Sequence, residues 1–242
     1  MKRQYSHLLV LGAFVFLSAA TCWGDAGKSG DFAMQRDRMV REQIEKRGVE
    51  DPDVLAAMQA VERHRFVPGR WRHRAYTDSP LPIGEGQTIS QPYIVALMTD
   101  ALDLEKDEKI LEVGTGSGYQ AAVLAQICDH VYTVEINEEL GRRAKDLLSE
   151  LGYGNVHVKI GDGYNGWPEY SPFDGIIVTC APADIPKPLK EQLAEGGRLV
   201  IPVGAGSFQK LVVLTKTDGE WDKRTIAPVR FVPMLKKDGT TY

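Results

Sequence analysis

Three glycines at alternate positions, Gly114, Gly116 and Gly118, follow the apolar run Ile110–Val113 and precede a helical pattern that starts at Tyr119. A turn of this composition at a strand end lets a ligand approach the main chain closely, at the edge of a parallel sheet where cofactors bind. The G-x-G-x-G spacing is not the G-x-G-x-x-G of dinucleotide folds. Acids surround it. Glu112 stands two positions before the first glycine, Glu135 ends the next strand pattern, and Asp162 lies in Gly161-Asp162-Gly163 after the third. Glu135 is spaced to accept hydrogen bonds from ribose hydroxyls. A purely structural tight turn remains open on spacing alone.

A second constellation lies upstream, in the run from Pro82 to Pro92 that contains Gln87-Thr88-Ile89-Ser90-Gln91. Glycines, hydroxyls and proline together predict a rigid polar loop, with Ser90 as N-cap of the helix after Pro92. A hydrolase nucleophile is disfavoured, because there is no G-x-S-x-G elbow and no histidine evidently paired with a serine and an acid. The segment Arg63–Arg74, dense in Arg and His around Trp71, reads as a solvated basic face or as a rim that attracts an anionic peptide.

The elements that must position these residues alternate. Strands are expected at Lys109–Val113, Val131–Glu135, Val156–Ile160, Phe173–Cys180 and Arg198–Val203. Helices are expected at Tyr119–Ile127, from the cap Asn137 to Leu151, and near Pro188–Ala194. Such alternation implies right-handed crossovers and a mostly parallel sheet with helices on both faces. Gln209–Thr217 and the stretch after Trp221 flank the turn pair Asp218-Gly219, so the sheet should finish with antiparallel strands. Upstream, Met39, Val40 and Ile44 recur at helical spacing in Phe32–Arg47, and Gly48 suits the helix end. Asp51 caps a second helix with Pro52 at its first position. The fold class is therefore α/β: one domain over residues 32–242 with an N-terminal helical cap over 32–80.

Composition excludes other classes. Of 242 residues 43 % are hydrophobic and 26 % charged, which rules out a disordered tail protein, a collagen-like rod and a multi-span membrane protein. A formal net charge of −4 argues against nucleic acid as partner. Cys22, Cys128 and Cys180 are too scattered for a disulfide framework or a zinc site, and no metal is expected.

The N-terminus reads separately. Lys2-Arg3, the uncharged run Leu8–Ala20 and the small residues Ser18-Ala19-Ala20 have the order of a secretory signal peptide over residues 1–20, followed by a flexible lead over 21–31. The apolar run falls short of a spanning helix, so no stable membrane anchor is expected. Ala19-Ala20-Thr21-Cys22 matches a lipobox poorly. Export to the periplasm is expected, unless translation starts at Met34 or the signal is not used, either of which would leave the chain in the cytoplasm.

The glycine turn with its acids resembles the S-adenosyl-L-methionine (AdoMet) pocket of Rossmann-like methyltransferases. The resemblance assigns Gly114, Gly116 and Gly118 to the amino-acid and ribose side, Glu135 to the ribose, and Asp162 with Gly163 to the adenine edge. AdoMet carries a sulfonium and no pyrophosphate, so Glu112, Glu135 and Asp162 on one rim would tolerate it better than a dinucleotide. More specifically, the chain resembles the protein-L-isoaspartate O-methyltransferases. The matching stretches are Arg65-Phe-Val-Pro68, Gly86-Gln-Thr-Ile-Ser-Gln-Pro-Tyr93, Leu111–Gln120, Gly161-Asp-Gly163, Phe173–Thr179 and Val229-Arg-Phe-Val-Pro233. The N-terminal 31 residues depart from the familiar cytosolic members.

That resemblance implies methyl transfer from AdoMet to the free carboxyl of isoaspartyl residues in damaged proteins and peptides; a monomer is expected. Ser90 takes the catalytic position and also contacts cofactor. Gln87, Thr88 and Ile89 line the junction of the two sites. An AdoMet-dependent enzyme for another carboxylate or small-molecule acceptor stays open. So do a nicotinamide oxidoreductase, which the glycine spacing disfavours, and a nucleoside-binding module without turnover.

Overall fold

The computed structural model describes residues 26–206 and 208–242, so the signal-peptide and lipobox readings fall outside the described residues. The first helix, α1 (Ala26–Met39), already includes residues 26–31, which the sequence reading gave to a flexible lead. It continues through a π-helical turn (Val40–Ile44) and a 3₁₀ turn (Glu45–Arg47) to Gly48, whose φ of 90° ends the run in a left-handed cap. Met39, Val40 and Ile44 are buried as their spacing requires. In α2 (Pro52–Ala60) the Asp51 carboxylate accepts from the amides of Asp53 and Val54, and Pro52 takes the first position, where no amide is needed.

The stretch read as a loop before Pro92 is a hairpin. β1 (Leu81–Gly84) pairs antiparallel with β2 (Gln87–Ile89) around a turn in which Glu85 and Gly86 both have positive φ. Helix α3 (Pro92–Asp100) follows. Its N-cap is Gln91, with no side-chain bond, rather than Ser90 as expected. Pro92 fills the first helical position, which moves the cap one residue downstream of the serine.

The body then alternates as expected: β3 (Lys109–Val113), α4 (Tyr119–Ile127), β4 (His130–Glu135), α5 (Glu138–Glu150), β5 (Val156–Ile160), β6 (Phe173–Val178), α6 (Lys187–Glu191), β7 (Leu193–Val203), β8 (Gln209–Thr217) and β9 (Glu220–Val229). The Asn137 side chain caps α5 by accepting from the amide of Leu140. The seven-stranded sheet has the order β5-β4-β3-β6-β7-β8-β9. Strands β3 to β7 are mutually parallel, and β8 and β9 close the sheet antiparallel through the turn at Asp218-Gly219.

Strand alternation sends Ile110, Val131, Ile177 and Val200 to one face, where they pack with buried side chains of α1 to α5. Leu111, Val113, Ile176 and Val178 go to the other, with Leu189 of α6 and Met234. Successive crossovers run outward from β3 through β4 to β5, then return to lay β6 on the opposite side of β3. The loops after β3 and β6 therefore diverge, which opens a crevice at the carboxyl edge.

Candidate functional site

That crevice is a partly open cleft. Its floor is the glycine turn after β3 and its walls come from Glu135 and Ile136 after β4, Gly163 after β5, Thr179-Cys180 after β6, Gln87-Thr88 of β2, and Val232–Leu235. Six of the expected cofactor residues line it: Gln87, Thr88, Gly114, Gly116, Glu135 and Gly163.

Two glycines are required by close approach. Gly114 has a φ of 99°, and a Cβ there would lie 2.4 Å from the Thr179 hydroxyl. That hydroxyl donates to the carbonyls of Gly114 (2.7 Å) and Val113 (3.1 Å), pinning the turn to the end of β6. A Cβ on Gly163 would lie 2.4 Å from Val113 Cγ1. At both positions a side chain would collide with the protein itself, so glycine is what lets these two cleft-lining turns pack against β6 and β3. Glu135, 6 % exposed, accepts from the amides of Gly116 (2.8 Å) and Asn137 (2.9 Å). It therefore braces the turn, and a carboxylate retains lone pairs for a further donor.

The other five expected cofactor residues sit elsewhere. Gly118 serves as the left-handed N-cap of α4 and packs beneath Leu148 and Ala144. Ile89 is buried in the core. Asp162 stands behind Gly163, where its carboxylate accepts from the amide of Tyr164 (3.1 Å) and the hydroxyl of Tyr242 (2.5 Å).

Glu112 was expected on the rim and is instead fully buried under the turn. Alternation in a strand covered on both faces points it toward the helical layer, between Leu111 and Val113. Its Oε2 lies 2.5 Å from the Thr133 hydroxyl, which is 2.6 Å from that of Thr115 in the turn, while Oε1 has no partner. Burial, against the Thr133 bond and reinforced by Glu135, pushes its carboxyl up to about 8. The native carboxyl thus keeps a proton that the unfolded chain releases near 4.5, and native stability falls as pH rises through that window. Glu112→Gln removes this titration. Its melting temperature relative to the wild type is expected to climb between pH 5 and pH 8, and a constant offset across that range would show that Glu112 does not carry the proton.

Ser90 lines a second cleft, with Gln91, Ile94, Thr88, Thr179, Arg230 and Val232-Pro233. Thr88, Thr179, Val232 and Pro233 line both clefts, so the two share a wall. The Ser90 main chain is held from behind. Arg63, which the sequence places on a solvated basic face or a peptide-attracting rim, is completely buried; its Nη2 donates to the Ser90 carbonyl (2.6 Å) and its Nε to that of Ala75 (2.8 Å). Desolvation lowers the guanidinium only to about 10, so it stays charged at neutral pH with Tyr119 beneath it. Sequence reasoning passed over this buried cation, and over Thr179, whose only signal is a hydroxyl directly after an apolar strand. The turn Arg230–Pro233 is fixed by Gln209, whose amide donates to the Phe231 carbonyl (3.1 Å) and accepts from its amide (2.6 Å).

Among the described residues no group of His, Cys, Asp and Glu could hold a metal ion, and no helix is long and apolar enough to cross a membrane. Cys128 and Cys180 are free thiols.

Comparison with known proteins agrees with this geometry. The family model described as protein-L-isoaspartate(D-aspartate) O-methyltransferase matches residues 34–239. A protein-L-isoaspartate O-methyltransferase of Opitutus terrae is 58 % identical over 204 residues, covering 84 % of this chain and 88 % of the relative. One from an Anaeromyxobacter species is 53 % identical over 236 residues, covering 94 % and 97 %. Among solved structures, a protein-L-isoaspartate O-methyltransferase superposes with a TM-score of 0.77 at 30 % identity, covering 84 % of this chain and 67 % of that one. A Plasmodium falciparum structure, described as a putative protein-L-isoaspartate O-methyltransferase in complex with S-adenosyl-L-homocysteine, superposes with a TM-score of 0.73 at 27 % identity, covering 84 % and 98 %. A glycine-cradled cleft at the switch point, a serine-lined cleft sharing its wall, and a match across nearly the whole described body place the chain in the protein-L-isoaspartate O-methyltransferase family.

Proposed function

We infer that the chain transfers the methyl group of AdoMet to the free carboxylate of L-isoaspartyl residues in proteins and peptides. The observation that carries this reading is the shared wall between a glycine-floored cleft bearing Glu135 and an open cleft bearing Ser90. AdoMet supplies an electrophilic methyl on a sulfonium. Gly114, Gly116 and Gly163 admit it to the main chain, Glu135 accepts from the ribose, and Asp162 supports the adenine edge. Gln87 and Thr88 stand at the junction, with Ile89 packed beneath them.

The acceptor is a carboxylate with an ordinary pKa near 4, already ionised at neutral pH, so its attack needs no strong general base. The chain's task is to bring oxygen, methyl carbon and sulfur into line and to limit water. Ser90 orients the incoming carboxylate, and Arg230 puts a cation on the wall of its cleft. The adjacent peptide nitrogen then attacks the methyl ester and expels methanol to close a succinimide, whose hydrolysis returns some normal aspartate without further catalysis.

Purified protein with labelled AdoMet and paired peptides tests the reading. Methyl transfer to the isoaspartyl isomer and not to the aspartyl isomer is expected. Equal labelling of the two would overturn it, and transfer only to a small carboxylate would favour the alternative acceptor class. For the N-terminus we propose export and cleavage near Ala20, on the Lys2-Arg3 start and the short apolar run. The native protein's mass reads this directly, and an intact Met1 or a start at Met34 would sink it.

A further inference from the structure

Residues 232–235 line the cofactor cleft, and residues 236–242 double back against them. The outward limb forms one wall, Val232–Leu235, and is pinned to the loop after β6, where the amide of Ala181 donates to Val232 (2.8 Å) and that of Met234 to Ala181 (2.9 Å). The chain then reverses, with the amide of Lys236 donating to Thr240 (2.7 Å) and that of Tyr242 to Met234 (3.1 Å).

The reversal lands Tyr242 against the loop after β5. Its hydroxyl lies 2.5 Å from Asp162 Oδ2, and its ring stacks on Tyr164 at 4.0 Å between centroids and 11° between planes. The Lys236 ammonium stands 5.1 Å from the ring centroid. Burial and the neighbouring carboxylate push the phenol up to about 12, so it remains a donor throughout the neutral range. Asp162 immediately precedes Gly163, which lines the cleft. One side chain thus ties the wall contributed by residues 232–235 to the wall that follows β5.

We propose that Tyr242 is a positioning residue for the bound cofactor: through Asp162 and Tyr164 it fixes the adenine-side wall, holds the two walls together, and so sets how long AdoMet and the product S-adenosyl-L-homocysteine stay bound. The proposal rests on the assignment of Asp162 and Gly163 to the adenine edge. A charge-assisted hydrogen bond linking two walls matters most when the walls must part, so the effect falls on dissociation more than on association.

Tyr242→Phe removes the hydroxyl and keeps the stack; Tyr242→Ala removes both. The readouts are melting temperature, the dissociation rate of S-adenosyl-L-homocysteine by stopped-flow displacement, and the separate KM values for AdoMet and isoaspartyl peptide. Dissociation about ten-fold faster in Tyr242→Phe, faster still in Tyr242→Ala, with KM raised for AdoMet and not for peptide, is expected. A merely structural contact would lower the melting temperature and leave the dissociation rate of the folded protein unchanged. Wild-type dissociation in folded Tyr242→Phe overturns the proposal even where Tyr242→Ala fails to fold. Asp162→Asn separates the two claims: unchanged cofactor affinity there overturns the adenine-edge assignment, whereas weakened affinity there with wild-type dissociation in Tyr242→Phe overturns only the role of Tyr242.

Discussion

Ser90→Ala is expected to lower turnover on isoaspartyl peptide by about 100-fold, while AdoMet affinity stays within a few-fold and the melting temperature hardly moves. The magnitude is that of misplacing a reacting group by about 1 Å. An isoaspartyl residue runs its main chain through the side-chain carboxyl, which leaves the α-carboxylate free and one methylene displaced from that of a normal aspartate. A site that fixes the peptide main chain can therefore present one carboxylate to the methyl group and hold the other isomer's about a bond length away. The variant is a clean one. Gln91, not Ser90, caps α3, so no capping bond is lost, and Arg63 grips the Ser90 carbonyl, which alanine retains. A capping serine would instead lose about 1 kcal/mol of stability with turnover nearly intact. Single-turnover methyl transfer, binding calorimetry and thermal melting on the same preparation decide it. Turnover within two-fold of the wild type would remove Ser90 from the chemistry.

Glu135→Ala is expected to weaken AdoMet binding by about 1.5–3 kcal/mol, roughly ten- to 150-fold, as for lost hydrogen bonds to a charged group. The structure adds a second reason. The carboxylate that would accept from the ribose also holds the Gly116 amide, so alanine loosens the turn as well as removing the acceptor. Glu135→Gln keeps one carbonyl oxygen for that amide and should fall between alanine and the wild type. Calorimetry on folded protein measures both, and wild-type affinity in Glu135→Ala would remove the assignment.

Much of this was legible in the sequence because it is local. Asp51, Asn137 and Asp218-Gly219 announce their caps and turn within four residues of themselves, and strand-helix alternation alone predicts a crevice after β3. The misses have physical reasons too. Glu112 looks like a rim acid beside a ligand loop, yet period-two alternation within a doubly covered strand already points it inward. The hairpin before Ser90 was hidden because its strands, β1 and β2, are shorter than most, although Gly84-Glu85-Gly86 marks its turn. Arg63, Thr179 and Tyr242 act on partners far away in sequence, at Ser90, Gly114 and Asp162, and nothing in a single chain's spacing records such a meeting.

The walls of the serine cleft come from opposite ends of the fold, Ser90 before the first strand of the large sheet and Arg230–Pro233 after its last. During synthesis the glycine turn and Glu135 emerge long before the segment that completes the acceptor side. A nascent chain halted between β6 and β9 therefore already carries most of the residues that line the cofactor cleft while lacking one wall of the place that would hold a peptide carboxylate. Methyl transfer is consequently a stringent reporter of complete folding, because the last-made strand and the turn behind it decide whether there is an acceptor site at all.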